Sequence, residues 1–491
     1  MRTSGILMPI TSLPSKYGIG CFSKEAYDFI DGLVKAHQSY WQILPLGPTS
    51  FGDSPYQSFS TFAGNPYFID LEQLIKEGLI SEEECDECDF GDNERYVDYG
   101  KIYESRFGLL WNAFEKFDIE NSEYVKFKED NDEWLDDYSL YMAVKDSYEG
   151  LMWTKWDEDI KLRKEEALKS YYEELKDDVE FYKFLQFKFY EQWAKLKKYA
   201  NEKGVKIIGD IPIYVAFDSS DCWADTKLFQ FTEENLPCAV AGCPPDAFAA
   251  TGQLWGNPLY DWEYHKETGY TWWKKRVKKS LELYDVVRID HFRGFDEYYS
   301  IPYGDETAEN GHWEKGPSMD LFSALKEEIG EVNIIAEDLG YLTDTVIKLV
   351  KDTGFPGMKI MQFAFDSREE SNYLPHTYDK NCVVYTGTHD NNTLRAWYKE
   401  ISEKDKKYAK EYLGKQLTEN KIHWDMIRAT LASVADTAII PIQDYLGLGE
   451  EARMNVPSTL GTNWKWRMIE QDLDDELLEK IGNMTVLYER A

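Results

Sequence analysis

Eight short apolar runs, the charged helix-length stretches between most of them, and the polar or acidic residues closing several runs together predict an α/β protein. The fold they imply is a (β/α)8 or TIM barrel with inserted subdomains, including a largely helical one between strands two and three. The runs are 5–11, 40–46, 205–214, 285–291, 332–337, 357–365, 381–386 and 437–443. Most are β-branched and too short for helices, so they read as fully buried parallel strands. Stretches such as 318–329 and 342–351 are amphipathic and of helical length. A barrel with insertions reaches 491 residues as one unit, so residues 1–491 are read as a single catalytic barrel.

Taken in order, the first two strands follow one another closely. A gap of about 160 residues then separates strands two and three, and one of about 70 separates strands three and four. The first gap holds no proline between Tyr67 and Ile211 and no glycine between Leu151 and Lys203, while Glu, Lys, Leu and aromatic residues abound. Residues 71–200 are therefore expected to form a mainly helical insertion. The second gap, 216–262, has the opposite composition. Cys243-Pro244-Pro245-Asp246-Ala247-Phe248 and Thr251-Gly252-Gln253-Leu254-Trp255-Gly256-Asn257-Pro258 are rich in turn formers and aromatics. Long loops in compact domains commonly form lids or binding surfaces, so this region is expected to cover a substrate.

Charge and cysteine content narrow the partners. Lys and Arg number 55 against 90 Asp and Glu, a formal charge of −35 that repels phosphate backbones and anionic membranes. Seven cysteines do not form the even framework of a small secreted domain. Cys85 and Cys88 lack a second pair at zinc-ribbon spacing, and no metal site is expected. Residues 5–10 are too short an apolar run for a secretory signal, and no run reaches membrane-spanning length. A cytoplasmic protein is expected.

The chemistry is written at three strand ends. Val286-Val287-Arg288-Ile289-Asp290-His291, Ile334-Ile335-Ala336-Glu337-Asp338 and Val383-Val384-Tyr385-Thr386-Gly387-Thr388-His389-Asp390 each pair a buried strand with a carboxylate. Barrel enzymes carry their catalytic groups at this face. Breaking and remaking a glycosidic bond with retention needs a nucleophilic carboxylate and an acid and base roughly 5 to 5.5 Å from it. Asp290 and Glu337, on adjacent strands, fit those roles in that order. Arg288 shares Asp290's side of the strand by period two, and its charge would favour an ionised nucleophile. Glu337 must hold its proton near neutrality, which burial or the Asp290 charge would supply. Asp390 would bind sugar hydroxyls and favour ring distortion. His291 and His389 flank the two aspartates and can hydrogen bond hydroxyls in either tautomer. Sugar faces pack on rings, and loop aromatics Tyr56, Phe248 and Trp255 are the candidates. Read singly, any of these carboxylates could be a plain ion-pair partner, as Asp290 could be for Arg288.

Together these residues resemble the 4-alpha-glucanotransferase family of the amylase-related clan. The resemblance runs from Gly5-Ile6-Leu7 and Thr11-Ser12-Leu13-Pro14-Ser15 through Trp41-Gln42-Ile43-Leu44-Pro45-Leu46 and Asp53-Ser54-Pro55-Tyr56-Gln57 to Gly461-Thr462-Asn463-Trp464. It implies Asp290 as nucleophile, Glu337 as acid and base, and Asp390 as transition-state stabiliser. It also implies Tyr56, Arg288, His291, Asp366 and His389 around the donor sugar, and Asp246, Gln253 and Trp255 near the acceptor. Asp210 matches a strand-three position of the family, Phe248 belongs to its covering loop, and Asn463 to its carboxyl-terminal motif. The implied partners are alpha-1,4-glucans and malto-oligosaccharides, with glucose as an acceptor and no cofactor. An amylase-like hydrolase would use the same carboxylates, but the 244–258 loop favours transfer over hydrolysis. A non-catalytic glucan-binding protein would need no Asp290 and Glu337 pair.

Overall fold

The computed structural model describes residues 2–50, 52–245, 250–340, 342–368 and 370–491. Its centre is a parallel barrel of eight strands. In chain order the strands of the molecule are β1 (Thr3–Leu7), β2 (Tyr40–Gln42), β3 (Lys206–Pro212), β4 (Ala239–Cys243), β5 (Gln253–Pro258), β6 (Val286–Asp290), β7 (Glu297–Pro302), β8 (His312–Lys315), β9 (Ile334–Ala336), β10 (Gly357–Ile360), β11 (Cys382–Tyr385) and β12 (Thr437–Pro441). The barrel order is β10-β11-β12-β1-β2-β3-β6-β9. Its ends meet without a full ladder. Ala336 N–H donates to Pro356 O at 2.9 Å, and Met358 N–H donates to the Asp338 carboxylate at 2.7 Å. A side chain thus completes the seam where backbone pairing stops.

Seven of the eight expected runs contain a barrel strand and the first overlaps β1, which begins two residues before it, but several strands stop short of the ends of their runs. In the first, Pro9 has no N–H to donate and the chain turns into a 3-10 helix at Ile10–Ser12. In the sixth, the strand ends at Ile360 and Met361–Phe365 continues as a 3-10 helix that buries Met361, Ala364 and Phe365. Apolar sequence runs on through both because the turn is buried as deeply as the strand.

Alternation sorts the strand residues between two cores. Leu7, Ile208, Ile335, Met358, Ile360, Val383, Tyr385 and Ile439 form one buried cluster inside the barrel. Their neighbours Ile6, Trp41, Ile207, Val287, Ile289, Ile334, Val384 and Ile440 face the helices in a much larger cluster. Helix boundaries follow local chemistry. The helix Asp344–Thr353 begins where the Thr343 side chain accepts from Val346 N–H and ends at Gly354, left-handed with φ 74°.

Between β2 and β3 the chain forms a series of helices ending in the 27-residue helix Lys176–Glu202. Side-chain amides fasten it to the barrel loops. Gln186 both donates to Gly64 O at 2.9 Å and accepts from Gly64 N–H at 2.7 Å, and Gln192 accepts from Asp70 N–H at 2.7 Å. Segment 216–262 contains β4 and β5, whose hairpin joins β7 and β8 in a four-stranded antiparallel sheet of order β5-β4-β7-β8. The β7 and β8 strands come from the connection after β6. At Gly242 a Cβ would stand 2.1 Å from Gln253 O, so the two hairpin strands approach as closely as they do only because that residue is glycine.

Candidate active site

The site is built on the carboxyl ends of β3, β6 and β9 and on the loops after β2, β11 and β12. Pairing of Arg288 with Asp210 and of Ile289 with Ala336 sets three neighbouring strands in register. Asp290 closes β6, and Glu337 is the first residue beyond β9. Adjacent strands lie about 4.8 Å apart, so the two carboxylates emerge side by side.

Period two places Asp210 and Arg288 in the barrel interior just below that rim. Arg288, 3% exposed, spans two aspartates. Its Nη1 lies 2.6 and 2.8 Å from the oxygens of Asp210, which is 0% exposed, and its Nη2 lies 2.7 Å from Asp290 Oδ1. Burial works against the guanidinium charge, but Asp210 and Asp290 outweigh it and hold Arg288 well above its ordinary range. Asp290 Oδ2 makes no hydrogen bond among the described residues. At Gly209 a Cβ would stand 2.1 Å from the Tyr284 ring, so the position before Asp210 has no room for a side chain.

Glu337 has a different environment. His291 N–H donates to Oε2 at 2.7 Å and Leu339 N–H to Oε1 at 2.8 Å. The carboxyl keeps some surface open to the cleft and is enclosed by protein elsewhere. That burial, with the Asp290 charge adding to it, raises its pKa to about 7 against the pull of Arg288 and the two N–H donors. The donor geometry depends on His291, which adopts a left-handed backbone with φ 55° directly after Asp290. This turn swings the chain so that the N–H reaches the neighbouring carboxylate. Burial drives the His291 imidazole down to about 4, so it is neutral, and its Nε2 is buried without a hydrogen-bond partner among the described residues. Trp255 from the β4–β5 hairpin stands edge-on to that ring, with centroids 4.8 Å apart.

The third carboxylate is reached differently. β11 ends at Tyr385, and Asp390 lies five residues on, in the loop 386–393. Asn455 Nδ2 donates to its Oδ1 at 2.6 Å, and Arg453 Nη2 donates to its backbone carbonyl at 2.9 Å. His389 precedes it, 5% exposed, stacked on Tyr56 with centroids 5.1 Å apart. Tyr56 O–H in turn donates to Asp210 Oδ2 at 2.9 Å. One connected chain of contacts thus runs from Asp290 through Arg288, Asp210, Tyr56 and His389 to Asp390 and Asn455.

Of the other candidates, Trp255 reaches the cluster, and Gln253 does so through Trp255, whose Nε1–H donates to Gln253 Oε1 at 3.1 Å. Asp366 sits after β10 and is engaged by Arg368, which holds its carboxyl down at about 2. Asn463, 7% exposed, ties its own loop: its amide donates to Thr459 O at 2.9 Å and accepts from Val456 N–H at 3.0 Å. Asp246 and Phe248 lie outside the described residues. Among the described residues no group of three or more His, Cys, Asp or Glu is placed to hold a metal, and no helix is long and apolar enough to cross a membrane.

Several contributors were not singled out individually from the sequence, although Gln57 and Trp464 lie in segments that carry the family resemblance. Asn455 and Arg453 act on Asp390 from the segment after β12. Trp464 packs near both Tyr56 and His389, at 5.9 and 5.8 Å. Gln57 Nε2 donates to Asn257 Oδ1 at 3.2 Å, linking the Tyr56 loop to the base of the hairpin. Asp444 was findable by the rule that found the others, since it follows strand eight at the barrel's carboxyl end. Its carboxylate, 2% exposed, accepts from Thr386 O–H at 2.6 Å and from Leu394 N–H at 2.8 Å, bracketing the Asp390 loop.

A family model described as 4-alpha-glucanotransferase matches residues 8–472. Over 488 residues the chain is 54% identical to a 4-alpha-glucanotransferase of Clostridium butyricum, covering 99% of this chain and 100% of that one. It is 51% identical over 495 residues to a 4-alpha-glucanotransferase of Streptococcus pneumoniae, covering 100% and 97%. Among solved structures it superposes on an amylomaltase from Streptococcus agalactiae in complex with acarbose, with a TM-score of 0.97, 42% identity and full coverage of both chains.

Proposed function

As a member of the 4-alpha-glucanotransferase family the chain is a glucanotransferase, and we propose that it moves a segment of an alpha-1,4-glucan by two displacements at Asp290. In the first, Asp290 attacks the anomeric carbon while the glycosidic oxygen takes the Glu337 proton, and the leaving piece departs with a free 4-hydroxyl. In the second, the 4-hydroxyl of an acceptor glucan or of glucose gives its proton to the Glu337 carboxylate. Its oxygen then displaces Asp290 from the anomeric carbon. Two inversions leave the configuration retained.

The observation that carries this reading is the contrast between two neighbouring carboxyls. Asp290 has one oxygen in an ion pair and the other without a hydrogen bond among the described residues, whereas Glu337 keeps its proton to about pH 7. Asp390 makes no bond in this scheme. With one oxygen fixed by Asn455, it binds sugar hydroxyls and favours the distorted ring of the transition state. Trp255 and the sheet beneath it exclude water from the glycosyl-enzyme, which favours a sugar acceptor over hydrolysis.

The roles are tested with α-maltosyl fluoride, whose fluoride leaves without a proton, and azide as the intercepting nucleophile. Glu337→Ala should give the α-glycosyl azide through the intact Asp290 intermediate, and Asp290→Ala the β-azide by direct displacement. The reverse pattern would exchange the two assignments, and identical products would remove both.

A further inference from the structure

Two cavities of about 550 and 500 Å³ lie away from the carboxylate cluster. Both are lined by Lys279 and Glu282, so they form one groove along the seam between the helical insertion and the barrel helix Thr271–Leu283. The half that reaches the loop after β2 has Phe62, Trp134 and Trp272 in its lining, all half-buried. The Phe62 and Trp134 rings stack with centroids 6.3 Å apart and planes 25° from parallel. Above them the rim carries both signs of charge. Lys275 pairs with Glu133 at 2.8 Å, and Lys279 donates to Asn131 Oδ1 at 3.0 Å.

This lining selects a chemistry. Aromatic rings bordered by six carboxylates and three lysines suit a neutral polyhydroxylated chain, which offers an apolar ring face together with hydroxyls that donate to carboxylates. A phosphodiester would meet rim carboxylates on a protein of charge −35. An aliphatic ligand would desolvate the rim charges and offer them no hydrogen bond in return. Phe62 also lies on the loop that carries Tyr56, and that loop is pinned between the two places by Asp221, which accepts from Thr61 N–H at 2.8 Å and from Thr61 O–H at 2.7 Å.

We propose that this groove is a second binding site for α-glucan chains, holding a long donor or acceptor on the protein while one of its ends is processed at Asp290. The inference rests on the glucanotransferase reading and adds a site to it. Tethering a long chain raises its effective concentration at the cleft without new contacts there. Chains too short to span both places gain nothing.

The test compares amylose with maltotriose. Trp272→Ala removes one of the aromatic rings, and Ala224→Trp fills the groove from its other wall while leaving those rings in place. Each variant is run in native gels containing amylose and assayed for KM on both substrates. Weaker retardation and a rise of about fivefold or more in KM for amylose are expected, with kcat and KM for maltotriose within about twofold of the parent. Retardation and amylose KM equal to the parent's in Ala224→Trp would overturn the proposal. So would an equal rise in KM for maltotriose, which would place the effect in the catalytic cleft. Absence of any transfer from maltotriose by the parent protein would instead remove the glucanotransferase reading, and gel retardation would still report on the groove.

Discussion

At the scale of single residues, the chemistry turns on where protons sit. Glu337 has its pKa raised above the ordinary carboxylate value to about 7, so its acid form is present below that pH and lost above it. The first displacement, as proposed, requires that form. We therefore expect kcat/KM for a glucan donor to fall as pH rises through about 7, and the fall to be absent in Glu337→Gln, whose residual rate should be lower by about 10²- to 10⁴-fold. The same shift bears on stability. A carboxyl with a raised folded pKa penalises the folded state once pH exceeds the unfolded value, and the penalty is complete above the folded one. Glu337→Gln should accordingly melt a few degrees higher than the parent at pH 8 and no higher at pH 4, as calorimetry would show. Arg288 presents the opposite case. Arg288→Met would leave Asp210 buried and unpaired, and we expect a loss of about 3–5 kcal/mol in denaturant-measured stability together with the loss of transfer. Asp290, Glu337, Arg288 and His291 were legible in the sequence because strand ends and period two dictate where they go. Asn455 was not, because its place opposite Asp390 is a meeting of two loops 65 residues apart in the chain.

At the scale of elements, the loop 386–393 decides whether Asp390 is in place. A strand would fix it by register, but this segment has left the sheet. Asp444 supplies the constraint instead, taking the Thr386 hydroxyl at one end of the loop and the Leu394 N–H at the other. Burial raises its pKa to about 6. Removing the carboxylate strands a buried N–H as well as the hydroxyl, whereas Thr386→Val removes only one bond. We expect Asp444→Ala to cost about 1–3 kcal/mol and Thr386→Val about 1 kcal/mol, both with kcat reduced more than KM is raised. Denaturant melts and maltotriose kinetics on the two variants check this. Equal effects would mean that only the Thr386 end of the bracket matters. The eight barrel runs were readable from apolar periodicity and length. The pairing of β4, β5, β7 and β8 was not, since the turn formers and aromatics around β4 and β5 read as loop, and the antiparallel register of β4 against β7 joins segments on either side of barrel strand β6.

At the scale of the whole molecule, the barrel supplies a rigid rim, and the insertions supply what the rim lacks. The segment between β2 and β3 buttresses the Tyr56 loop through Gln186 and Gln192, and the four-stranded sheet brings Trp255 over His291. Helical composition made the first insertion visible in the sequence; its fastening to the barrel through two glutamines depends on contacts 122 residues apart in the chain. The central claim is that the assembled cleft passes a glycosyl unit from Asp290 to another sugar rather than to water. The most direct measurement is incubation with purified maltotriose, following glucose and the oligosaccharide ladder by chromatography, with Asp290→Asn in parallel. Glucose appearing together with maltotetraose and longer chains, and neither with the variant, is the result expected. Maltose and glucose in equal amounts with nothing longer would contradict the account and make the protein a hydrolase.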